Sequence, residues 1–308
     1  MTYWFFENDR GPEGLLRYLT LILTTRGCSW ARGKGPCLMC GYQADADPAI
    51  SPEAVVAQVA GLSGQLSQAE GVKLYTSGSI LDEDELPTDL RRELLARLAA
   101  SPAREIVLET RADMVTQEGV AEVLAALPGK HVEFAMGLES SNDEVLAHCV
   151  HKPTRFVDVR RAAEEIRLAG AGVKLYLLLK PPFLTEGEAI DDCLASCRDA
   201  AKIADTVTIN LLNVQKRTLV EKLWGRDEYR PPWLWSAVEV ARECQDLPVR
   251  LLMGLAGAGS RRGAYNCRRC SKHVTRALRH AALSGDYSLP GLACGCEDEW
   301  RVYRELRD

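Results

Sequence analysis

Long hydrophobic runs are missing from this sequence. No apolar segment approaches the ~20 residues of a membrane-spanning helix, so we expect no membrane partner. No secretory signal precedes the first predicted strand, and the cysteines, 11 in 308 residues, are odd in number, which argues against a disulfide framework. Cysteine-rich chains without a signal are typical of a reducing compartment and of metal binding. We therefore expect a cytoplasmic metalloprotein.

Acidic residues are missing from one stretch. Residues 250–285 contain eight Lys or Arg and no Asp or Glu, although the whole chain has a net charge of −5. Such a basic block is suited to binding phosphates, but an ordinary solvated surface can have the same composition. With 26% charged and 46% hydrophobic residues, the chain as a whole is typical of a globular protein.

Three cysteines occupy one short loop. Cys28, Cys37 and Cys40 follow the apolar run 19–24, which predicts a buried strand. Three thiolates can bind three irons of a 4Fe–4S cluster and leave the fourth iron open to a substrate or cofactor. A structural zinc site would need a fourth Cys or His, and none lies nearby in the sequence. The loop therefore favours radical chemistry over structural zinc.

Apolar runs alternate with amphipathic stretches along residues 19–211, which predicts βα units and a parallel sheet. The predicted strands are 19–24, 72–75, 105–109, 132–138, 173–179 and 206–211. The predicted helices are 52–68, 89–99, 117–127, 155–168 and 186–203. Six repeats favour a partial (β/α)6 barrel of the α/β class, with chemistry at the carboxyl ends of its strands. We assign residues 1–250 to this barrel and residues 251–308 to a small, basic C-terminal metal-binding appendix.

Four cysteines form two close pairs in the appendix, Cys267-x2-Cys270 and Cys294-x-Cys296. Two pairs of thiolates predict tetrahedral zinc, and a small region with few apolar residues needs such a clamp to fold. A second iron–sulfur cluster is the alternative.

Tryptophans are grouped after the sixth predicted strand, at Trp224, Trp233 and Trp235. Indole rings can stack on a displaced base or dock a partner. Packing against the open end of the barrel explains the same cluster equally well.

Eight short motifs are distributed along the chain. They are TRGCSW at 25–30, CLMCGY at 37–42, LYTSGS at 74–79, ETR at 109–111, GLES at 137–140, LLLKPPFLTE at 177–186, NVQ at 213–215 and RPPWLW at 230–235. Together they resemble the radical S-adenosylmethionine (SAM) superfamily and, within it, the archaeosine-biosynthesis family that forms the radical subunit of archaeosine synthase. The spacing Cys28-x8-Cys37-x2-Cys40 departs from the common Cx3CxxC form, but the motifs span nearly the whole chain.

This resemblance implies a reaction. A partner subunit similar to tRNA-guanine transglycosylase attaches lysine to a 7-cyano-7-deazaguanine base in the D-loop of tRNA. The radical subunit, a C–N lyase, then cleaves the C–N bond of the lysine side chain and leaves archaeosine on the tRNA. The implied cofactors are a 4Fe–4S cluster and SAM, and an external donor supplies the electron. Cleavage of SAM would yield a 5′-deoxyadenosyl radical.

The resemblance also assigns roles at the ends of the second and third predicted strands. Ser77, Gly78 and Ser79 occupy the place of the superfamily's Gly-Gly-Glu segment, without its acidic residue, and are expected to bind SAM. Arg111 is a candidate for a carboxylate of SAM or of the lysine substrate. A salt bridge at the mouth of the barrel, with Glu109 or Glu139 as the partner, is the structural alternative for Arg111.

Further cofactor-binding candidates follow the later strands. Glu139 and Ser140 are placed to hydrogen-bond the ribose hydroxyls of SAM. Lys180, Asn213 and Gln215 are candidates for the adenine edge or for the modified base.

Two other functions compete with the radical lyase. A methylthiotransferase-like radical SAM enzyme would also modify tRNA, but such enzymes usually carry three further N-terminal cysteines, and none of the 27 residues before Cys28 is Cys. A non-catalytic zinc protein that binds RNA through its basic end is the third hypothesis. An iron–sulfur cluster would exclude it.

Overall fold

A computed structural model describes residues 3–306 of the chain. The chain folds into two compact units. Unit 1 comprises the chain up to Pro36 together with Tyr42–Gly137 and Val157–Lys174; unit 2 comprises Cys37–Gly41, Leu138–Phe156 and the chain from Leu175 onward. No helix within residues 3–306 combines the length and the apolar composition that crossing a membrane requires.

Eight strands form one sheet whose spatial order follows the chain, β1 to β8. The strands are β1 Tyr3–Gly11, β2 Gly14–Ile22, β3 Gly71–Tyr75, β4 Glu105–Thr110, β5 His131–Glu139, β6 Gly172–Leu179, β7 Thr206–Leu211 and β8 Arg250–Gly254. Strands β1 and β2 form an antiparallel hairpin, whereas β2 to β5 pair in parallel, as do β7 and β8. Parallel pairing brings the carboxyl ends of these strands to the same edge of the sheet.

The α-helices are α1 Ser29–Lys34, α2 Pro52–Ala60, α3 Ser63–Leu66, α4 Thr88–Ala99, α5 Gln117–Ala126, α6 Phe156–Leu168, α7 Glu186–Ala200, α8 Leu219–Trp224, α9 Leu234–Cys244, α10 Ser271–Ser284 and α11 Cys296–Glu305. Helices α1 to α9 lie between strands of the sheet, and α10 and α11 follow β8. Hydroxyl side chains cap several of them: Thr185 and Glu188 form a reciprocal capping box at the start of α7, as the sequence pattern of such a box specifies.

The six predicted strands are all present. Five of them match to within one residue at each end, whereas the first, predicted at 19–24, overlaps β2, which spans Gly14–Ile22. The predicted helix 52–68 is wrong in one respect, because α2 ends at Ala60 and α3 begins at Ser63. Gly61 and Gly64 lower helix propensity there. Strand β8 was not predicted, because its apolar run is only three residues long, Leu251 to Met253.

Strand β1 was not predicted either, because one of its faces carries charge. Glu7 and Asp9 lie 2.8 and 2.6 Å from the ammonium group of Lys73, which is 4% exposed. The Thr20 hydroxyl also donates to Glu7, at 2.7 Å. A hydrophobic periodicity analysis finds no alternation in such a strand, whereas the fold satisfies its carboxylates with one buried lysine.

Candidate active site and metal centre

Cys28 lies in unit 1, immediately before α1. Its carbonyl accepts a 3.1 Å hydrogen bond from the Arg32 N–H group. Upstream, Thr25 is fully buried, its carbonyl accepts a 2.9 Å hydrogen bond from Asp47, and its hydroxyl donates to the carboxylate of Glu85. The backbone that carries Cys28 is thus held on both sides.

The turn of Ser77, Gly78 and Ser79 follows β3 and packs directly on Cys28. A Cβ atom on Gly78 would lie 2.7 Å from the Glu85 Oε2 atom and 3.0 Å from the Cys28 Cα atom, so a larger residue would force one of these buried neighbours to shift. The Ser79 and Thr110 hydroxyls share a 2.7 Å hydrogen bond that ties the turn to the end of β4. Glycine at position 78 therefore permits the close approach of the turn to the cysteine loop.

Glu85 supplies the carboxylate that the turn itself lacks. It accepts hydrogen bonds from the N–H groups of Ser77 and Ser79, both at 2.9 Å, and from the Thr25 hydroxyl. The residue is 1% exposed, and burial raises the pKa of its carboxyl, although the three hydrogen bonds act in the opposite direction. One buried side chain therefore joins the turn to the loop that carries Cys28.

Glu85 was missed by the sequence analysis because its contact with the turn is made through space. The available signal is the acidic segment 82–85, which follows the turn directly. Its four consecutive carboxylates have the same local sequence context, so spacing alone does not distinguish the one that folds back.

Arg111 also contacts Cys28. Its Nη1 donates to the Cys28 Sγ atom at 3.2 Å and to the Ser29 hydroxyl at 2.9 Å. Its Nε and Nη2 donate to the Asp113 carboxylate at 3.1 and 2.6 Å. The structure therefore contains a salt bridge of the kind considered as an alternative, with a partner, Asp113, that the sequence did not suggest.

The second and third cysteines lie in unit 2, on the loop Cys37–Gly41. The Leu38 N–H group donates to Val150 at 3.0 Å, the Leu38 carbonyl accepts from Val220 at 3.3 Å, and the Cys40 N–H group donates to the Cys37 carbonyl at 3.0 Å. Met39 packs against the apolar cluster of Leu178, Leu212, Val214, Val220 and Tyr229. The spacing of two residues between the cysteines thus forms a tight turn anchored in the core of unit 2.

Gln215 completes this anchor. Its Oε1 accepts a 2.6 Å hydrogen bond from the Gly41 N–H group, and a Cβ atom on Gly41 would lie 2.8 Å from the same oxygen. Gln215 was predicted to read the adenine or the modified base. In the structure its carbonyl oxygen holds the backbone beside Cys40, and the contact with a base stays a prediction.

Glu139 ends β5 in a left-handed conformation, with φ at 66°, which is a strained backbone for a non-glycine residue. Its Oε1 atom forms a 3.0 Å ion pair with the Nζ atom of Lys152. Burial lowers the pKa of the Lys152 ammonium group, but Glu139, Cys37 and Cys40 outweigh it and raise the pKa. A positive charge is thus maintained beside the Cys37–Gly41 loop.

Ser140 is turned towards the interior of unit 2. It is fully buried and donates to the Asp192 carboxylate at 2.7 Å. Burial raises the pKa of Asp192 to about 6, although the hydrogen bond from Ser140 opposes the shift. The Asn213 amide is half-buried and donates to the Ala256 carbonyl at 3.4 Å.

Lys180 forms a second buried ion pair. Its ammonium group lies 2.7 Å from the Glu186 carboxylate, which also accepts from the Trp233 N–H group at 2.8 Å. The Lys180 side chain is thus engaged in the core of unit 2.

The four C-terminal cysteines meet in unit 2. Their sulfur atoms all lie within 4.8 Å of one another, with Cys267 3.7 Å from Cys270 and 3.6 Å from Cys294, and Cys270 3.6 Å from Cys296. Four sulfurs arranged tetrahedrally at ~2.3 Å from one ion would be separated by ~3.8 Å. The cysteines are therefore spaced for a single tetrahedral metal ion.

Two of the tryptophans are buried in unit 2, and one of them contacts the four-cysteine group. Trp233 and Trp235 are each 4% exposed, and the Trp235 indole N–H group donates to the Cys296 sulfur at 3.4 Å. The guanidinium group of Arg230 stacks between the rings of Trp233 and Tyr265, at 3.9 and 4.1 Å from their centroids. These rings are packing elements, which leaves little of their surface for a displaced base.

Two curated relatives, both named archaeosine synthase subunit beta, are similar to this chain over nearly its whole length. The relative from Methanosarcina acetivorans is 40% identical over 301 residues, which cover 94% of this chain and 86% of the relative. The relative from Thermococcus kodakarensis is 40% identical over 316 residues, which cover 99% of this chain and 97% of the relative. The chain belongs to the archaeosine synthase subunit beta family. No protein-family model matches it.

Two solved structures have the same fold. Methylornithine synthase aligns with a TM-score of 0.54 and 14% identity, covering 92% of this chain and 85% of its own. The Elp3 protein of Methanocaldococcus infernus aligns with a TM-score of 0.54 and 15% identity, covering 86% of this chain and 63% of its own. The predicted α/β radical SAM fold is confirmed, with β1 and β8 added to the six expected strands.

The role of Glu85 is testable by hydrogen exchange. In Glu85→Gln one carboxylate oxygen becomes an amide, so an N–H donor of the turn loses its acceptor, which costs ~1–3 kcal/mol when the donor is buried. We expect the amides of Ser77 and Ser79 to exchange about ten- to a hundredfold faster. Asp84→Asn, an exposed neighbour, is the matched control and should exchange as the wild type. Equal protection of the turn in both variants would show that Glu85 does not hold it.

Proposed function

We propose that this protein is the radical SAM subunit of an archaeosine synthase. In this role it cleaves the lysine C–N bond of lysine-adducted 7-cyano-7-deazaguanine in the tRNA D-loop and leaves archaeosine. The observation that carries the proposal is the 40% identity to two relatives named archaeosine synthase subunit beta. Their subunit name supports a partner, for which we propose a transglycosylase-like subunit, and an external donor supplies the electron.

The residues of the chain suit the 4Fe–4S cluster and SAM that a radical SAM fold implies. Cys28 in unit 1 and Cys37 and Cys40 in unit 2 offer soft thiolate ligands of the kind that iron–sulfur clusters require. Arg111 against Cys28, and Lys152 in the field of Cys37 and Cys40, offset the negative charge of these thiolates. With SAM, the bound cluster would supply a 5′-deoxyadenosyl radical for hydrogen abstraction from the substrate.

The turn after β3 is suited to bind the ammonium group of SAM. Glu85 engages the N–H groups of Ser77 and Ser79, so the turn presents its carbonyl oxygens instead. In the part of the chain that the structure describes, the carbonyls of Ser77 and Gly78 accept no hydrogen bond. We assign the ammonium group of SAM to these acceptors.

The remaining candidates divide into ligand-binding and positioning residues. We propose that Glu139 accepts a ribose hydroxyl through Oε2, since Lys152 engages Oε1. Ser140 and Gln215 act through their neighbours, because Ser140 donates to Asp192 and Gln215 holds Gly41. Asn213 stays a candidate for the adenine edge.

We propose zinc for the four-cysteine centre, and we regard residues 251–308 as the C-terminal metal-binding region. Sulfur separations of 3.6 to 3.7 Å suit one ion, whereas a four-iron cluster places several atoms between its thiolates. Burial raises the pKa of Cys267, but hydrogen bonds from the backbone N–H groups of Cys270 and Arg269 and contacts with the Cys294 and Cys270 thiols together outweigh it and lower the pKa to about 6. A low pKa favours the thiolate that a metal ion binds.

The proposed reaction is tested by anoxic incubation of the reconstituted protein with SAM, dithionite and tRNA bearing the lysine adduct. We expect mass spectrometry to detect 5′-deoxyadenosine and archaeosine with the wild type and neither product with Cys40→Ala. The variant loses one of three iron ligands on an anchored loop, so its circular dichroism should be unchanged. Cys149→Ala, a buried thiol outside both cysteine sites, is the control.

Two results would contradict parts of this proposal. Reductive SAM cleavage that persists in Cys40→Ala would refute the assignment of the cluster ligands. SAM cleavage by the wild type with unchanged tRNA, in the presence of the partner subunit, would refute the C–N lyase reaction and leave the radical SAM assignment standing.

The metal centre is tested by Cys270→Ala. Removing one of four thiolates from a structural zinc site should lower the zinc content well below one ion per chain, because a three-ligand site is incomplete. Limited proteolysis should then cleave the segment 251–308 faster, since metal binding stabilises its fold. A zinc content equal to that of the wild type would refute the site, and iron in place of zinc would identify a second cluster.

A further inference from the structure

We infer that one exposed face of α10 binds the phosphate backbone of the tRNA, and that the four-cysteine metal centre holds this face in position. The basic face, as we name it, consists of Lys272, His273, Arg276, Arg279 and His280. The inference rests on the proposed tRNA substrate and identifies where on the chain that substrate is bound.

The basic face follows from the periodicity of α10. Its apolar side, with Val274, Leu278 and Ala281, is buried in unit 2, whereas all five residues of the basic face are exposed. Lys272, Arg276 and Arg279 lie at positions i, i+4 and i+7 of the helix, so they form one row ~10 Å long. A row of that length can reach more than one phosphate of a polynucleotide.

The charge of this row is not neutralised within the protein. In the range 3–306, no Asp or Glu lies within ion-pair distance of Lys272, Arg276 or Arg279, and the same holds for Arg268 and Arg269 in the loop before the helix. By contrast, Arg262, in the same basic block, pairs with Glu221 at 2.7 Å. Unpaired cations on one face retain their full attraction for an anionic partner.

The composition of the face favours phosphates over a protein partner. Protein interfaces have an apolar or aromatic centre, and none of the exposed large hydrophobic residues among residues 3–306 lies on α10. The row contains Lys and Arg, the side chains that usually contact phosphate oxygens. We therefore assign the face to a nucleic-acid backbone.

The metal centre lies at the start of the same helix. Cys270 directly precedes α10, and Arg268 and Arg269 lie between the ligands Cys267 and Cys270. A metal ion bound by all four cysteines would fix this loop and the first turn of α10 relative to α11, which begins at Cys296. Metal binding should therefore order the cations that contact the phosphates.

The test is the salt dependence of tRNA binding to the full-length, metal-loaded protein. Fluorescently labelled tRNA is titrated at several salt concentrations between about 50 and 200 mM with wild type, Arg276→Glu/Arg279→Glu and a control, Arg198→Glu/Arg226→Glu. The control reverses two exposed arginines elsewhere in unit 2, so both variants carry the same net charge. Zinc content and circular dichroism establish that each variant is folded.

We expect the variant of the basic face to bind tRNA at least about tenfold more weakly at low salt. The slope of log K against log salt should fall by ~1 for each phosphate that the variant no longer neutralises. The control should keep the slope of the wild type and most of its affinity. Cys270→Ala should also weaken tRNA binding, although it retains every basic residue of α10.

An unchanged slope in Arg276→Glu/Arg279→Glu would overturn the inference, and archaeosine formation by the same variant would show that the proposed function stands without it. Normal tRNA affinity with lost binding of the partner subunit would also overturn it and identify a protein interface. If the basic face proves necessary for tRNA binding but the wild type forms no archaeosine, the surface assignment stands and the proposed reaction fails.

Discussion

The buried carboxylate of Glu85 is the interaction on which the candidate active site of unit 1 depends. It accepts three hydrogen bonds, from Thr25 on the cysteine loop and from Ser77 and Ser79 on the turn after β3. A buried carboxylate is costly when its oxygens lack hydrogen bonds, so each of the three bonds to Glu85 helps to stabilise its position. The same side chain that fixes the turn against Cys28 also leaves the carbonyls of the turn available to a ligand. The hydrogen bonds of Glu85 therefore hold the turn in place and also favour the proposed binding of SAM to it.

Much of the fold and part of the site could be predicted from the sequence, and the successes have a common cause. The six predicted strands each contain a short apolar run, and the four C-terminal cysteines that the structure brings together occur as two close pairs, so both signals are local. Strand β1 escaped prediction because its Glu7 and Asp9 are satisfied by Lys73, a residue of another strand. Glu85 and Asp192 escaped for the same reason, since Thr25 and Ser140 reach them only after the chain has folded. Asp113 is a local partner of Arg111, two residues away, and was overlooked.

The cysteines named as candidate ligands form two different arrangements in this chain. Cys37 and Cys40 lie on a loop fixed by Gln215 and by the apolar contacts of Met39, in the field of the positive charge of Lys152. Cys267, Cys270, Cys294 and Cys296 have closely spaced sulfurs, suited to one tetrahedral ion. In the proposed function, the first arrangement would leave one iron of a four-iron cluster without a protein ligand, whereas the second would close a metal site that stabilises the fold and orients α10.

The central claim is that Cys28, Cys37 and Cys40 leave one iron open for SAM. The most direct measurement is electron–nuclear double resonance (ENDOR) spectroscopy on the reduced, reconstituted protein. The SAM added to the sample carries ¹⁷O in its carboxylate. The account predicts a hyperfine coupling from ¹⁷O that is absent with unlabelled SAM and absent in Cys28→Ala. Identical spectra with labelled and unlabelled SAM would contradict it, because no carboxylate oxygen of SAM would then be bound to the iron.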